Sequence, residues 1–215
     1  MWPRNRHVSP PCHLGGIEAP GRGRQCRAML LLAAALAVDL TVSVRVYDIY
    51  GLPPETRQEA LTLAAAALEG AGVHAVMVDC TVKPALAACA AGLGDGELVL
   101  RIHRHPKDGI HVLGDAIVRE SGPSTVATVY AAAIAERARR TGGRLAALVG
   151  RVAAHEIGHL LLGSNAHAGH GLMRPAWDLS RLDRGDWAFT VADAAAIRQR
   201  LQQRDAGALL ARATP

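Results

Sequence analysis

The string His155-Glu156-Ile157-Gly158-His159 carries the residue types that water-activating metal sites use. Its flanks, Val152, Ala153, Ala154, Leu160 and Leu161, are apolar and predict a helix over Arg144–Leu162. Residues four apart share a helix face, so both imidazoles can point at one ion. Glu156 lies one step round, where it can hold a water instead of binding the ion. A chance polar pattern belongs on a solvated face. Set into a buried apolar helix, the same groups are costly without a partner, and a metal is the partner that this spacing fits. Zinc in such a site acts as a Lewis acid and lowers the pKa of its water towards ~7, with Glu156 as general base.

A catalytic zinc takes three protein ligands and one open position. No glutamate follows Glu156, so a downstream Glu ligand is excluded. The candidates are His167, His170 and, further away, Asp178. Gly163 is placed to end the helix in a left-handed cap and turn the chain back. On chain reach, His167 is preferred as the third ligand, with His170 as the alternative.

The preceding elements must hold that helix in place. Leu40–Tyr47 alternates as a half-buried strand, and Glu55–Glu69 reads as a helix stopped by Gly70 and Gly72. Val73–Cys80, Glu97–Arg104 and Ile110–Val118 read as strands, with Thr81–Gly96 a loop. A helix is predicted from near Ser124 to Thr141, ahead of the one bearing His155. Gly163–Ala188 has no period, and an irregular segment of that length is usually functional. Thr190 and Asp193 form a capping-box pattern opening a last helix that runs to about Arg204. The plan is one α+β domain over residues 38–215: strand, helix, three strands, two helices, a long irregular segment and a closing helix.

The segment HEIGHLLLGSNAHAGHGLM resembles the zinc-binding segment of metzincin metallopeptidases, HExxHxxGxxH followed by a turn carrying Met. Here the glycine stands one residue late, with Leu162 in its place, and the third histidine two residues late, with Asn165 in its place. Gly171-Leu172-Met173 resembles the Met-turn, which in that family floors the histidines. The element order is most similar to the matrixins, which implies a twisted mixed sheet of about four to five strands whose antiparallel edge strand pairs with an extended substrate; Ile110–Val118 would take that part. The resemblance implies a zinc-dependent endopeptidase holding one catalytic Zn2+ on His155, His159 and His167, acting on protein or peptide substrates. No tyrosine follows Met173, so a tyrosine ligand near that turn is not expected. A zinc-stabilised, non-catalytic binding domain is the rival reading; such a domain has no need of Glu156.

Among 215 residues, 50% are apolar and 20% charged, as in a folded globular chain with a real core. The net charge of +5 is concentrated: Arg4, Arg6, Arg22, Arg24 and Arg27 face only Glu18 within residues 1–37, leaving +1 on the rest. With 3% aromatics and no basic stripe, a nucleic-acid surface is not expected. No apolar run reaches the ~18 residues of a membrane span, and a monomer is expected. Met29–Val38, preceded by arginines and ending in Ala35-Leu36-Ala37, has the form of a signal segment, which implies a secreted or periplasmic protein. Loss of residues 1–37 leaves Cys80 and Cys89, a pair suited to one disulfide in an oxidising compartment. His103 and His105 at a strand end are candidates for a second zinc, and Trp177 and Trp187 for a pocket wall; a solvated strand end and a core position are the commoner roles.

Overall fold

The computed structural model describes residues 40–83, 86–105, 112–177 and 187–213. The signal-segment reading, His111 and Asp178 lie outside them. Strand β1 (Thr41–Asp48) sits inside the sheet and buries Val42, Val44 and Val46 on one face. Helix α1 (Pro54–Gly70) opens with a proline, whose missing N–H costs nothing in a first turn, and packs Ala60, Leu61, Ala64 and Leu68 inward. Strand β2 (His74–Asp79) follows, then a single helical turn α2 (Ala87–Ala90) and strand β3 (Leu98–His103). Strand β4 (Gly114–Ala116), strand β5 (Val126–Tyr130), α3 (Ala131–Thr141), α4 (Leu145–Leu162) and α5 (Val191–Ala213) complete the order.

The five strands form one sheet in the order β2-β1-β3-β5-β4. All pairings are parallel except β4 with β5, where Gly114 faces Val129 and Ala116 faces Ala127. An antiparallel strand therefore closes one edge, shorter than the expected Ile110–Val118. The helix predicted from near Ser124 is corrected: it begins only at Ala131. Val126–Tyr130 is a strand, because Val126, Thr128 and Val129 are β-branched and both β3 and β4 bond to them. The expected loop Thr81–Gly96 contains the turn α2, and α5 runs past Arg204 to Ala213.

Helix α4 is the centre of the core and packs against α1, α3, α5 and strands β3, β4 and β5. At Gly150 the two long helices come into backbone contact: a Cβ there would lie 2.6 Å from the Ala60 carbonyl oxygen. Among the described residues α4 alone is long and apolar enough to cross a bilayer, but most of it is buried inside the domain. The opposite face of the sheet is tied down by Arg45, 5% exposed, which donates to the Ala91 and Gly92 carbonyls at 2.7 Å and pairs with Glu97. Cys80 and Cys89 are joined in a disulfide that fastens α2 to the end of β2, with Cα atoms 5.5 Å apart.

Candidate metal centre

Helix α4 carries His155, Glu156 and His159, all buried, at 7%, 6% and 5% exposure. The helix ends on Gly163 in the left-handed conformation (φ 55°, ψ 37°), and the Ser164 N–H returns to the His159 carbonyl at 3.2 Å. That reversal brings the Ser164 carbonyl within 2.8 Å of His159 Nδ1. The Leu172 carbonyl receives His155 Nδ1 at the same distance. A carbonyl can only accept, so each Nδ1 carries the proton and each Nε2 presents a lone pair. The two Nε2 atoms are 3.1 Å apart. Two neutral acceptors at that distance repel unless a cation lies between them.

His167 completes the group: one ligand atom from each of His155, His159 and His167 lies within 4.8 Å of the others. Burial lowers the pKa of His155 to about 4, aided by the neighbouring His159 and His167, against the Leu172 hydrogen bond. Burial also lowers that of His159. Both are therefore neutral, the form that binds a metal. Three imidazoles suit zinc and its transition-metal neighbours better than magnesium or calcium, so the donor set fits zinc. His170 is exposed and stands outside this group. His103 and His105 join no set of three ligating side chains among the described residues.

The loop after the third histidine is held from within. Ala168 N–H donates to the Met173 carbonyl at 2.9 Å, and Leu172 N–H to the Ala188 carbonyl at 2.7 Å. Gly171 (φ 73°) has no room for a side chain, because a Cβ would lie 2.9 Å from the Ala188 oxygen. Met173 is fully buried, with its sulfur 2.7 Å from where a Cβ on Gly158 would stand. Trp177 packs edge-on against His155 at 5.3 Å between centroids and donates to the same Leu172 carbonyl at 3.2 Å. It is a wall of the site as well as a packing residue, and Trp187 packs edge-on against it.

A cleft of about 630 Å³ opens over the histidines, bounded by β4 on one side and by Arg174 and Trp177 on the other. Glu156 faces it. Burial, and secondarily the charge of Asp115, raises its pKa to about 8. Asp115 accepts from the Tyr130 hydroxyl at 2.7 Å, and burial and that bond raise the tyrosine to about 12. Gly114 lets β4 approach: a Cβ there would meet Glu156 Cγ at 2.7 Å and Val152 Cγ1 at 2.8 Å. Sequence reasoning missed Gly114, Asp115 and Tyr130. Gly114 and Asp115 lie inside the run read as the strand Ile110–Val118, where nothing local marks them, and Tyr130 falls in the stretch read as helix.

No protein-family model matches this sequence, and no curated protein matches it. Among solved structures, archaemetzincin from Methanopyrus kandleri resembles it with a TM-score of 0.51 at 16% identity, over 80% of this chain and 99% of that one. The likeness is one of fold: an α+β domain with a five-stranded mixed sheet, of the kind that archaemetzincin adopts.

Proposed function

We propose that residues 38–215 form a single zinc-dependent endopeptidase domain of the metzincin type, secreted by way of Met29–Val38. The observation that carries this reading is the pair of buried Nε2 lone pairs 3.1 Å apart, with His167 beside them and Glu156 on the same cleft wall. His155, His159 and His167 would hold one zinc, which when bound supplies a Lewis acid for the scissile carbonyl and acidifies a water. Glu156 takes the proton of the attacking water and passes it to the leaving amine. Burial raises that carboxyl above the usual range and so strengthens it as a proton acceptor, while the charge of a bound zinc would offset part of the shift. The edge strand Gly114–Ala116 aligns an extended peptide across the cleft by main-chain pairing. Gly171-Leu172-Met173 serves as the Met-turn, with the buried thioether as the floor. The Cys80–Cys89 bridge supports an oxidising compartment, and hence the secreted reading.

Elemental analysis of protein from Val38 onward tests this, together with peptide-library cleavage. The expected result is one zinc per chain and cleavage in the parent. Zinc is expected to be lost in His167→Ala and kept in His170→Ala. Glu156→Gln is expected to keep zinc and lose cleavage. Zinc lost with His170→Ala instead would move the third ligand. Zinc without cleavage would favour the non-catalytic binding domain, and no zinc in the parent would refute the proposal.

A further inference from the structure

Among the described residues, Arg137 and Arg174 line the cleft with guanidinium groups that the hydrolytic chemistry does not use. Arg174 directly follows the buried Met173, which anchors it. Its Nε is shut off from solvent with no hydrogen-bond partner. Its guanidinium lies 5.9 Å from the ring centroid of Trp187. Arg137, on the exposed face of α3, makes no ion pair among the described residues, whereas its neighbours Arg139 and Arg140 both pair with Glu136. Among the described residues the acids lining the cleft are Asp115, which accepts from Tyr130, and Glu156, which faces the histidines.

That Nε is enclosed by protein, as are those of Arg45 and Arg101, so the terminal nitrogens of Arg174 are the donors that a group entering the cleft can reach. A guanidinium is a planar fork that matches a carboxylate through two parallel N–H donors, and its two terminal nitrogens can supply both. Arg137 adds long-range attraction at the mouth of the cleft without geometric demand. Resting on the endopeptidase reading, we infer that this cleft selects peptides bearing a carboxylate close to the bond to be cut, with Arg174 as its specificity-determining residue. The carboxylate comes from an Asp or Glu side chain or from the peptide's own C-terminus. Recognition of either by Arg174 has the same chemistry.

Binding, which requires no turnover, tests this. The intrinsic fluorescence of Trp177 and Trp187 reports titration of the full chain with four peptides: Glu or Gln at one internal position, each with a free or an amidated C-terminus. A tenfold or greater preference for the carboxylate peptides is expected, since a charge-assisted pair in a shielded site discriminates by about 10- to 100-fold. Arg174→Gln should erase that preference, so that the four peptides bind alike. Arg174→Lys should keep part of it, which controls for misfolding. Arg137→Gln should weaken binding mainly at low salt. Preference for Glu over Gln in both amidated and free peptides assigns the side chain as the source; preference for free over amidated ends alone assigns the C-terminus. Equal binding of all four, no binding of any, or a preference that survives Arg174→Gln would overturn the inference. Those outcomes are separate from zinc content, on which the endopeptidase reading stands or falls.

Discussion

Replacing Gly114 by alanine is expected to damage the site through a single methyl group. The glycine's backbone lies outside the left-handed region, so alanine can adopt it without conformational strain. The difficulty is space. The new Cβ would lie 2.7 Å from Glu156 Cγ and from its Oε1, and 2.8 Å from Val152 Cγ1. Carbon atoms in good contact are ~3.5–4.0 Å apart, so the overlap is about 1 Å on two sides. Val152 is β-branched, 1% exposed and part of the core helix, so it cannot swing away freely. Glu156 must change rotamer or β4 must lift. Overpacking of this kind costs about 1–3 kcal/mol, which for a chain this size lowers Tm by roughly 2–10 °C. Displacing the carboxylate should also remove most of its acid–base contribution, about 10²-fold or more in kcat/KM. Zinc content should be unchanged, because His155 and His159 are fixed from the Leu172 and Ser164 carbonyls, away from β4. Calorimetry, peptide cleavage and elemental analysis read the three effects. Adding Val152→Ala should recover part of the stability without restoring cleavage. A Gly114→Ala protein with parental Tm and cleavage would refute the reasoning, since it would mean that β4 does not confine Glu156.

Gly163→Ala is expected to cost about 1 kcal/mol for its left-handed cap and to weaken zinc binding about tenfold, measured by chelator competition, because that turn presents the Ser164 carbonyl to His159. Cys80→Ser with Cys89→Ser should lower stability in urea by roughly 2–3 kcal/mol, the loop-closure value for a short bridge, and dithiothreitol should mimic the change. Acid titration should show an Asp79 contribution. Burial opposes its ionisation, but Arg57 at 2.8 Å and the Thr81 backbone outweigh burial and hold its pKa below the usual carboxylate range. Its stabilisation is therefore present above about pH 4 and is lost as pH falls through the lower folded value, and Asp79→Asn should flatten that part of the profile.

Several features were legible because they are local. The four-residue spacing of His155 and His159 on an apolar helix needs only helical geometry to put both rings on one face. Thr190 and Asp193 close their capping box within one turn, with the Asp193 N–H donating to Thr190 Oγ1 at 3.0 Å. Gly163 ends α4 where a residue without a Cβ was due. The reading failed at Val126–Tyr130, where an alanine-rich run hides a short strand. Hydrogen bonds from β3 and β4, distant in sequence, outweigh its helical neighbours.

The amino-acid sequence by itself determined the helix that carries His155, Glu156 and His159 and the turn that follows, since each depends on residues within one or two turns of one another. Only the tertiary structure decided which histidine stands with that pair. The Leu172–Ala188 and Ala168–Met173 hydrogen bonds shape the loop so that His167 closes the group and His170 stays exposed. The fold also decided the environment of Glu156. A glycine on an edge strand, an aspartate held by Tyr130 and an arginine with a buried, unpaired Nε surround the cleft, brought from three separate stretches of chain by packing that no local spacing encodes.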